Sequence, residues 1–517
     1  MGAPAVALVV DGAPLSERAH ALVSTVRVAR QLSQPAQCEV SFRADPGLVE
    51  AIGPGFPPPL GARLEVSVTG DHDRLFVGDV TGHEWSHEFD GALEVRVRVY
   101  DRLHRLRKRQ RVVARTDVSV ADVAEEVAGE AGLDVDATER GPQWPVLVQH
   151  RQSDLQLLQE LAEHAGLWFV ADDDELRIFT LDASSEQVEL TLHDNLLAAR
   201  FDSSAEPACT TVESLGWDPV GALPLRAEAG SARAPASIAN GVDLSALDAD
   251  GHVVLAGQPG PTVDHLEAAA QAELDRRMLR TVSMTGTTDG DARLVPGRNV
   301  RVAGAHPSVA GDYVLTETVH TIDGHGYRTE ISTVPPARTS PPTAAEATLG
   351  SVTDADDPEG RGRVRVSLPA YADVETDWRD VLALGAGEGK GVVATPDRGD
   401  RVLLLLPGGD PAAGVVLGSV FGDVTPSDPG LVGGTVKRWS MLTGSGQRVV
   451  LDDDAGRIFL ANAAGSTVEL APERVIVHAA TDLVIQAPGA TMTLRANKIE
   501  LIQATAPEEA PAHPGAA

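Results

Sequence analysis

The chain has 517 residues, which is too many for one hydrophobic core; at roughly 100–200 residues per domain it should form three or four. Its 75 acidic and 43 basic residues give a formal charge of −32, which repels nucleic acid and anionic membrane surfaces and excludes binding to either by bulk electrostatics. Hydrophobic residues at 43% exclude global disorder, and 50 glycines and 34 prolines with few long helical patterns indicate a mainly β protein with a few helices.

The N-terminus has no basic n-region, and the apolar run Val6–Val10 is too short for a signal-peptide core. No stretch approaches the roughly 18 apolar residues of a membrane span. Synthesis and assembly in the cytosol are therefore expected. Cys38 and Cys209 are too few for a disulfide framework or a zinc cluster and read as buried free thiols.

Residues 1–337 form the first block. Segments such as 62–69 and Leu93–Tyr100 alternate apolar and polar residues at period two, the pattern of half-buried strands. Two helices interrupt them. Ser119 caps one with an apolar face at Val120, Val123, Ala124 and Val127 and a glycine stop at Gly132. Ser153 caps the other, with Leu157, Leu158 and Leu161 inward and Gly166 at its end. A third helix is expected from His265 to about Leu279, after an Ala/Ser/Gly-rich excursion over 226–258.

A Pro-rich linker over 338–347 leads to a second block, 348–422, of short Val-, Leu- and Gly-rich strands between turn signals. That is the size and texture of a small closed barrel. A turn-rich linker, 423–442, precedes a third block over 443–503. Here very short strands recur. Val475 and Val477, Leu483 and Ile485, Met492 and Leu494, and Ile499 and Leu501 each place two apolar side chains on one face. Strands this short build no core alone, and stacked repeats leave open edges. Association of identical chains into a narrow three-chain β-prism closes those edges; a flat solenoid in one chain is the alternative. The Pro/Ala-rich tail, 504–517, is expected to be disordered.

Several motifs invite chemistry that their surroundings do not support. His83, Glu84 and His87 match H-E-x-x-H, which holds zinc only on a helix. In a strand the two histidines would stand about 13 Å apart. The glycine-rich run 385–391 lacks Walker spacing, and Asp452, Asp453 and Asp454 lack the spaced ligands of a calcium loop. No nucleophile–base set can be argued from spacing, so no catalytic, cofactor or metal residue is assigned. Trp378 reads as a barrel-core or subunit-contact residue before a carbohydrate platform. Arg361 and Arg363 are expected to pair with Asp356 or Asp357, or with a neighbouring subunit.

The run from Gln149 through Ser153 and Asp154 to Phe169 resembles a segment of VgrG proteins and of the hub and central-spike proteins of contractile phage tails. Leu294, Gly297, Gly311, Tyr313, Val314 and His320 are similar to a later part of that hub. The densest resemblance lies in the second block. Gly350, Asp357, Pro358, Gly360, Arg361, Gly362, Arg363 and Val364 open it. Trp378, Pro396, Gly399, Asp400, Gly409, Asp410, Pro411 and Gly418 follow, in the order of the OB-fold at the base of that family's spike. The run 444–453 resembles the entry to the β-prism. The arginine-rich run 100–109, with the opening 10–15, is closer to spikes of extracellular-type injection systems than to type VI VgrG proteins.

The resemblance implies a hub of two β-barrels with helical inserts over 1–337, an OB-fold barrel over 348–422 and a trimeric β-prism (β-helix) spike over 443–503. It implies a homotrimer that joins a hexameric inner tube to baseplate proteins and punctures a target envelope. A PAAR-like tip protein, seated at 494–502, and effector cargo are the further partners implied; no cofactor is. The rival readings are a glycan-binding, tailspike-like adhesin and a zinc peptidase using His83 and His87.

Overall fold

The computed structural model describes residues 6–44, 55–68, 74–87, 89, 93–182, 185–218, 223–233, 235, 251–256, 260–337 and 345–503. Most of the 226–258 excursion, linker residues 338–344 and the tail 504–517 lie outside the described residues. The chain divides into two compact units, Met1–Ser419 and Val420–Ala517.

In the first unit an eleven-stranded sheet joins strands from the beginning and the end of the first block. Strand Glu317–Asp323 pairs antiparallel with Val23–Gln31, so the C-terminal half is stitched to the N-terminal half. Two apolar cores flank this seam. One collects Val28, Val40, Phe42, Val66, Val97 and Val99, of which Val66, Val97 and Val99 come from alternating positions of the predicted strands. The other collects Leu196, Met284, Val300, Val302, Tyr313 and Leu315.

The helices lie where their caps place them. Val120–Gly129 begins at Ser119, whose hydroxyl accepts the Asp122 amide while the Asp122 carboxylate accepts the Ser119 amide. Asp154–Ala165 has the same reciprocal cap between Ser153 and Gln156 and ends at Gly166 in the left-handed region. The predicted inward residues of both helices are buried against Leu103, Leu106 and Phe169. The third helix, Val263–Leu279, starts two residues before its predicted boundary.

The barrel is a five-stranded sheet in which Glu346–Asp354 lies between Arg365–Leu368 and Arg401–Leu406, with Val374–Glu375 and Val415–Val420 outermost. Val352, Val364, Val366, Leu368, Val402, Leu404, Leu406 and Val416 fill its interior. Gly350 is required there. A Cβ would stand 2.4 Å from Val366 Cγ1 and 2.8 Å from the Ser367 carbonyl oxygen.

The second unit holds an antiparallel meander of Arg438–Leu442, Arg448–Asp452, Arg457–Ala461, Thr467–Leu470 and Val475–His478. Its first strand falls inside the stretch read as linker. The Asp428 carboxylate accepts two bonds from the Arg438 guanidinium, at 2.6 and 2.9 Å, which fixes where that strand begins. The turn residues just upstream conceal it in the sequence. From 479 to 503 the chain carries no strand.

Candidate functional site

The barrel's motif residues build one clamp. The Asp357 carboxylate accepts the backbone N–H groups of Glu359, Arg361 and Arg363 at 3.1, 2.9 and 3.3 Å. It also accepts Nε and a terminal nitrogen of Arg363 at 3.1 and 2.7 Å. The paired Arg363 guanidinium holds the Asp357 carboxyl well below the usual carboxylate range. Gly360 and Gly362 sit at φ 66° and 76°, which lets the chain double back after Pro358. Val364 then enters the core. Arg361 does not join the pair; its guanidinium lies 3.6 Å from Glu359, and Asp356 is not used.

The remaining motif residues close other corners of the barrel. Pro396 is buried; Gly399 has φ 95°, and the Asp400 carboxylate accepts the Asp397 amide at 2.9 Å. Gly409 is buried at φ 73°, and the Asp410 carboxylate accepts the Ala412 amide at 2.8 Å beside buried Pro411. Gly418 lies within the last strand. Trp378 lies at the barrel's edge. It is half-buried, with the Arg365 guanidinium 5.1 Å from its ring centroid, while its neighbour Arg379, which bridges to Val364, is the buried one.

What the motif leaves outside is apolar. In Arg401–Leu406, Val402, Leu404 and Leu406 face in, so Leu403 and Leu405 face out. Leu349 is opposite Leu403 on the neighbouring strand and 54% exposed, and Leu417 is 37% exposed. A hairpin over 382–393 adds Leu384, Val392 and Val393, the last 88% exposed. The sequence signal for this surface is the unbroken apolar run 402–406, which a strand with one wet face does not need.

The second unit is barer still. Val475 and Val477 share one face of a strand and are 65% and 58% exposed. Leu483, Ile485, Met492, Leu494, Ile499 and Leu501 are also exposed, and among the described residues none of these six lies on a strand. The eight do not form a core within one chain. A strand needs a hydrogen-bonding neighbour, and past His478 this chain supplies none of its own among the described residues.

Residues 29–326 match the family model for the phage tail baseplate hub (GPD), and residues 348–421 match that for the type VI secretion system/phage-baseplate injector OB domain. The chain belongs to the phage tail baseplate hub family. No curated protein matches it. The 43 kDa tail protein of prophage MuSo2 from Shewanella oneidensis is similar at 17% identity and a TM-score of 0.50, over 64% of this chain and 98% of that one. The lidded Francisella PdpA-VgrG complex is similar at 8% identity and a TM-score of 0.54, over 92% of this chain and 79% of that one. These likenesses show a shared fold.

As a hub of this family, the chain uses its Gln149–Ser153–Asp154 run for structure. The Gln149 amide donates to the fully buried Asp154 carboxylate at 2.8 Å, and Arg111 Nε donates to it at 3.3 Å. Arg115 donates to both oxygens of Glu126 at 2.6 and 2.9 Å, tying the capped helix to strand Val113–Val118. Sequence reasoning missed this network because its members are scattered from 111 to 154. The next loop reaches the barrel: Arg151 makes a bidentate pair with Glu346, at 2.5 and 2.7 Å, and the His150 ring meets Tyr371 edge-on at 5.3 Å.

His83 and His87 lie on strand Arg74–His87, opposite Val97 and Leu93, and His83 Nε2 is 2.7 Å from the Pro58 carbonyl oxygen. The Asp452 carboxylate turns inward and accepts the Asp454 and Ala455 amides at 3.1 and 3.0 Å, so it caps its own turn. Both cysteines are buried and free.

Proposed function

We propose that three copies of this chain assemble in the cytosol as the hub and spike of a contractile injection machine, a structural rather than catalytic part. The observation that carries this reading is the run of exposed apolar pairs from Val475 to Leu501 on backbone that one chain leaves largely without strands. Winding with two sister chains gives every such strand a neighbour and turns the pairs inward. The hub then joins the inner tube protein to baseplate proteins. The barrels form a collar, and the prism meets the target membrane when the sheath contracts. A PAAR-like tip protein on 494–502 closes the open end of the prism, and effector cargo travels with it.

Sedimentation of the full chain at micromolar concentration tests the assembly. A trimer that survives mild detergent is expected, because its bonds and apolar layers cross between chains. A monomer overturns the reading. Electron microscopy of particles from producing cells, with and without the gene, tests the machine itself: loss of the chain should leave tubes without a pointed end.

A further inference from the structure

We propose that the 382–393 hairpin is an exchange arm, which each copy of the chain lays on the outer barrel face of the next copy around the threefold axis. The inference rests on the trimer reading and adds which surfaces meet. Three observations lead to it.

First, the hairpin is ordered by its backbone and not by its side chains. The Leu382 amide donates to the Val416 carbonyl at 2.8 Å at its root, and the Val392 amide donates to the Leu384 carbonyl at 3.0 Å along its length. Gly387 and Lys390 exchange two bonds of 3.1 Å at its tip. Yet Leu384, Val392 and Val393 are 77%, 54% and 88% exposed. A two-stranded hairpin without an apolar contact is marginal in water, so a covering surface is called for.

Second, the same barrel carries a different uncovered apolar surface: Leu349, Leu405 and Leu417, on the outward positions of its three neighbouring strands. The arm and this face are different apolar patches of one domain, so a contact between the arm of one copy and the face of another is heterologous and closes into a ring when repeated by a rotation. A self-complementary dimer would need only one patch.

Third, each chain carries a formal charge of −32. Copies repel over most of their surface, so contact between them falls where charge is absent. The arm's only ionisable residues, Glu388 and Lys390, are of opposite sign and lie at its tip. These features fit a second copy of this chain better than a basic or acidic partner.

The test uses the full chain with Val393→Cys, labelled with a benzophenone maleimide; the native thiols of Cys38 and Cys209 are buried and do not compete. Irradiation of the purified trimer should give covalent dimers and trimers on a denaturing gel, with linked peptides from 346–354, 401–406 or 415–420 of another chain. A sample that sediments as a trimer but links only within its own chain, elsewhere or not at all overturns the exchange arm and leaves the trimer intact. A sample that sediments as a monomer overturns both. Val393→Asp, at a site too exposed to disturb folding, should raise the trimer's dissociation constant at least tenfold; an unchanged constant would count against the arm.

Discussion

The barrel and the terminal meander are both antiparallel sheets of short strands, yet they treat apolar side chains in opposite ways. In the barrel, alternate residues of Arg401–Leu406 are wholly buried because the sheet curls around them. In the meander, Val450 and Phe459 are the buried apolar residues among those described, while Leu451, Ile458, Leu460 and Leu470 remain exposed. A sheet has two faces and needs something against each face that is apolar. The barrel supplies that cover for its inner face from its own strands; the meander and the run beyond it do not. On the proposed trimer, stability in the first unit is mainly a property of one chain, and in the second a property of concentration.

That contrast can be broken most directly at the far end. Replacing Ile485 and Leu494 together by aspartate should abolish the trimer in sedimentation. The thermal transition of the first unit, followed by circular dichroism, should stay where it was. Persistence of the trimer would mean that the terminal run is not its clamp.

A smaller effect sharpens the same line. Leu404→Ala opens a cavity in the barrel and should cost about 2–5 kcal/mol in urea unfolding. Leu494→Ala, measured at concentrations where the chain is monomeric, should change stability by no more than about 0.5 kcal/mol, as at any exposed site.

Buried ionisable groups separate the units by pH. His265, closed in by Trp144 and His164, has its pKa pushed down to about 4 by burial. The unfolded chain takes up that proton near pH 6.5, so the contribution is full above pH 6.5 and lost as pH falls toward 4. At about 1.4 kcal/mol for each tenfold change in proton affinity, the loss is roughly 2–3 kcal/mol by about pH 4.5. Asp101 works in reverse. Burial raises it to about 7, so its ionisation costs stability as pH rises from about 4 to 7. The two oppose each other, while His320, also pushed down by burial to about 3, adds to the loss on acidification. His265→Asn should gain stability on acidification relative to the parent, and Asp101→Asn should lose it, both read from urea midpoints at about pH 7 and 4.5.

The smallest expected effect is at a cap. Ser119→Ala should cost about 1 kcal/mol in the first unit and leave the sedimentation of the trimer unchanged.

Much of the first unit was readable because its signals are local. Ser119 and Ser153 announce helices through the partners that follow them, and the spacing of Leu157, Leu158 and Leu161 fixes which face is buried. Asp357 and Arg363 were readable as partners because they lie close in sequence, on either side of two glycines. The Asp154 network was not, since Arg111 and Gln149 approach it only after the helices pack. The strand Arg438–Leu442 was hidden by turn residues on its N-terminal side. The apolar pairs after His478 were visible as a pattern, and the pattern names faces; what covers them is not written in the pattern.

Cys38 sits at the centre of the first barrel half, where burial drives its thiol far above the ordinary range, and Cys209 is sealed between the third helix and its neighbours. These are the protein's two thiols. Passage from a reducing to an oxidising medium would find neither thiol accessible to couple, cap or over-oxidise. Cysteine chemistry therefore offers no handle on the folded first unit, whichever redox medium surrounds it.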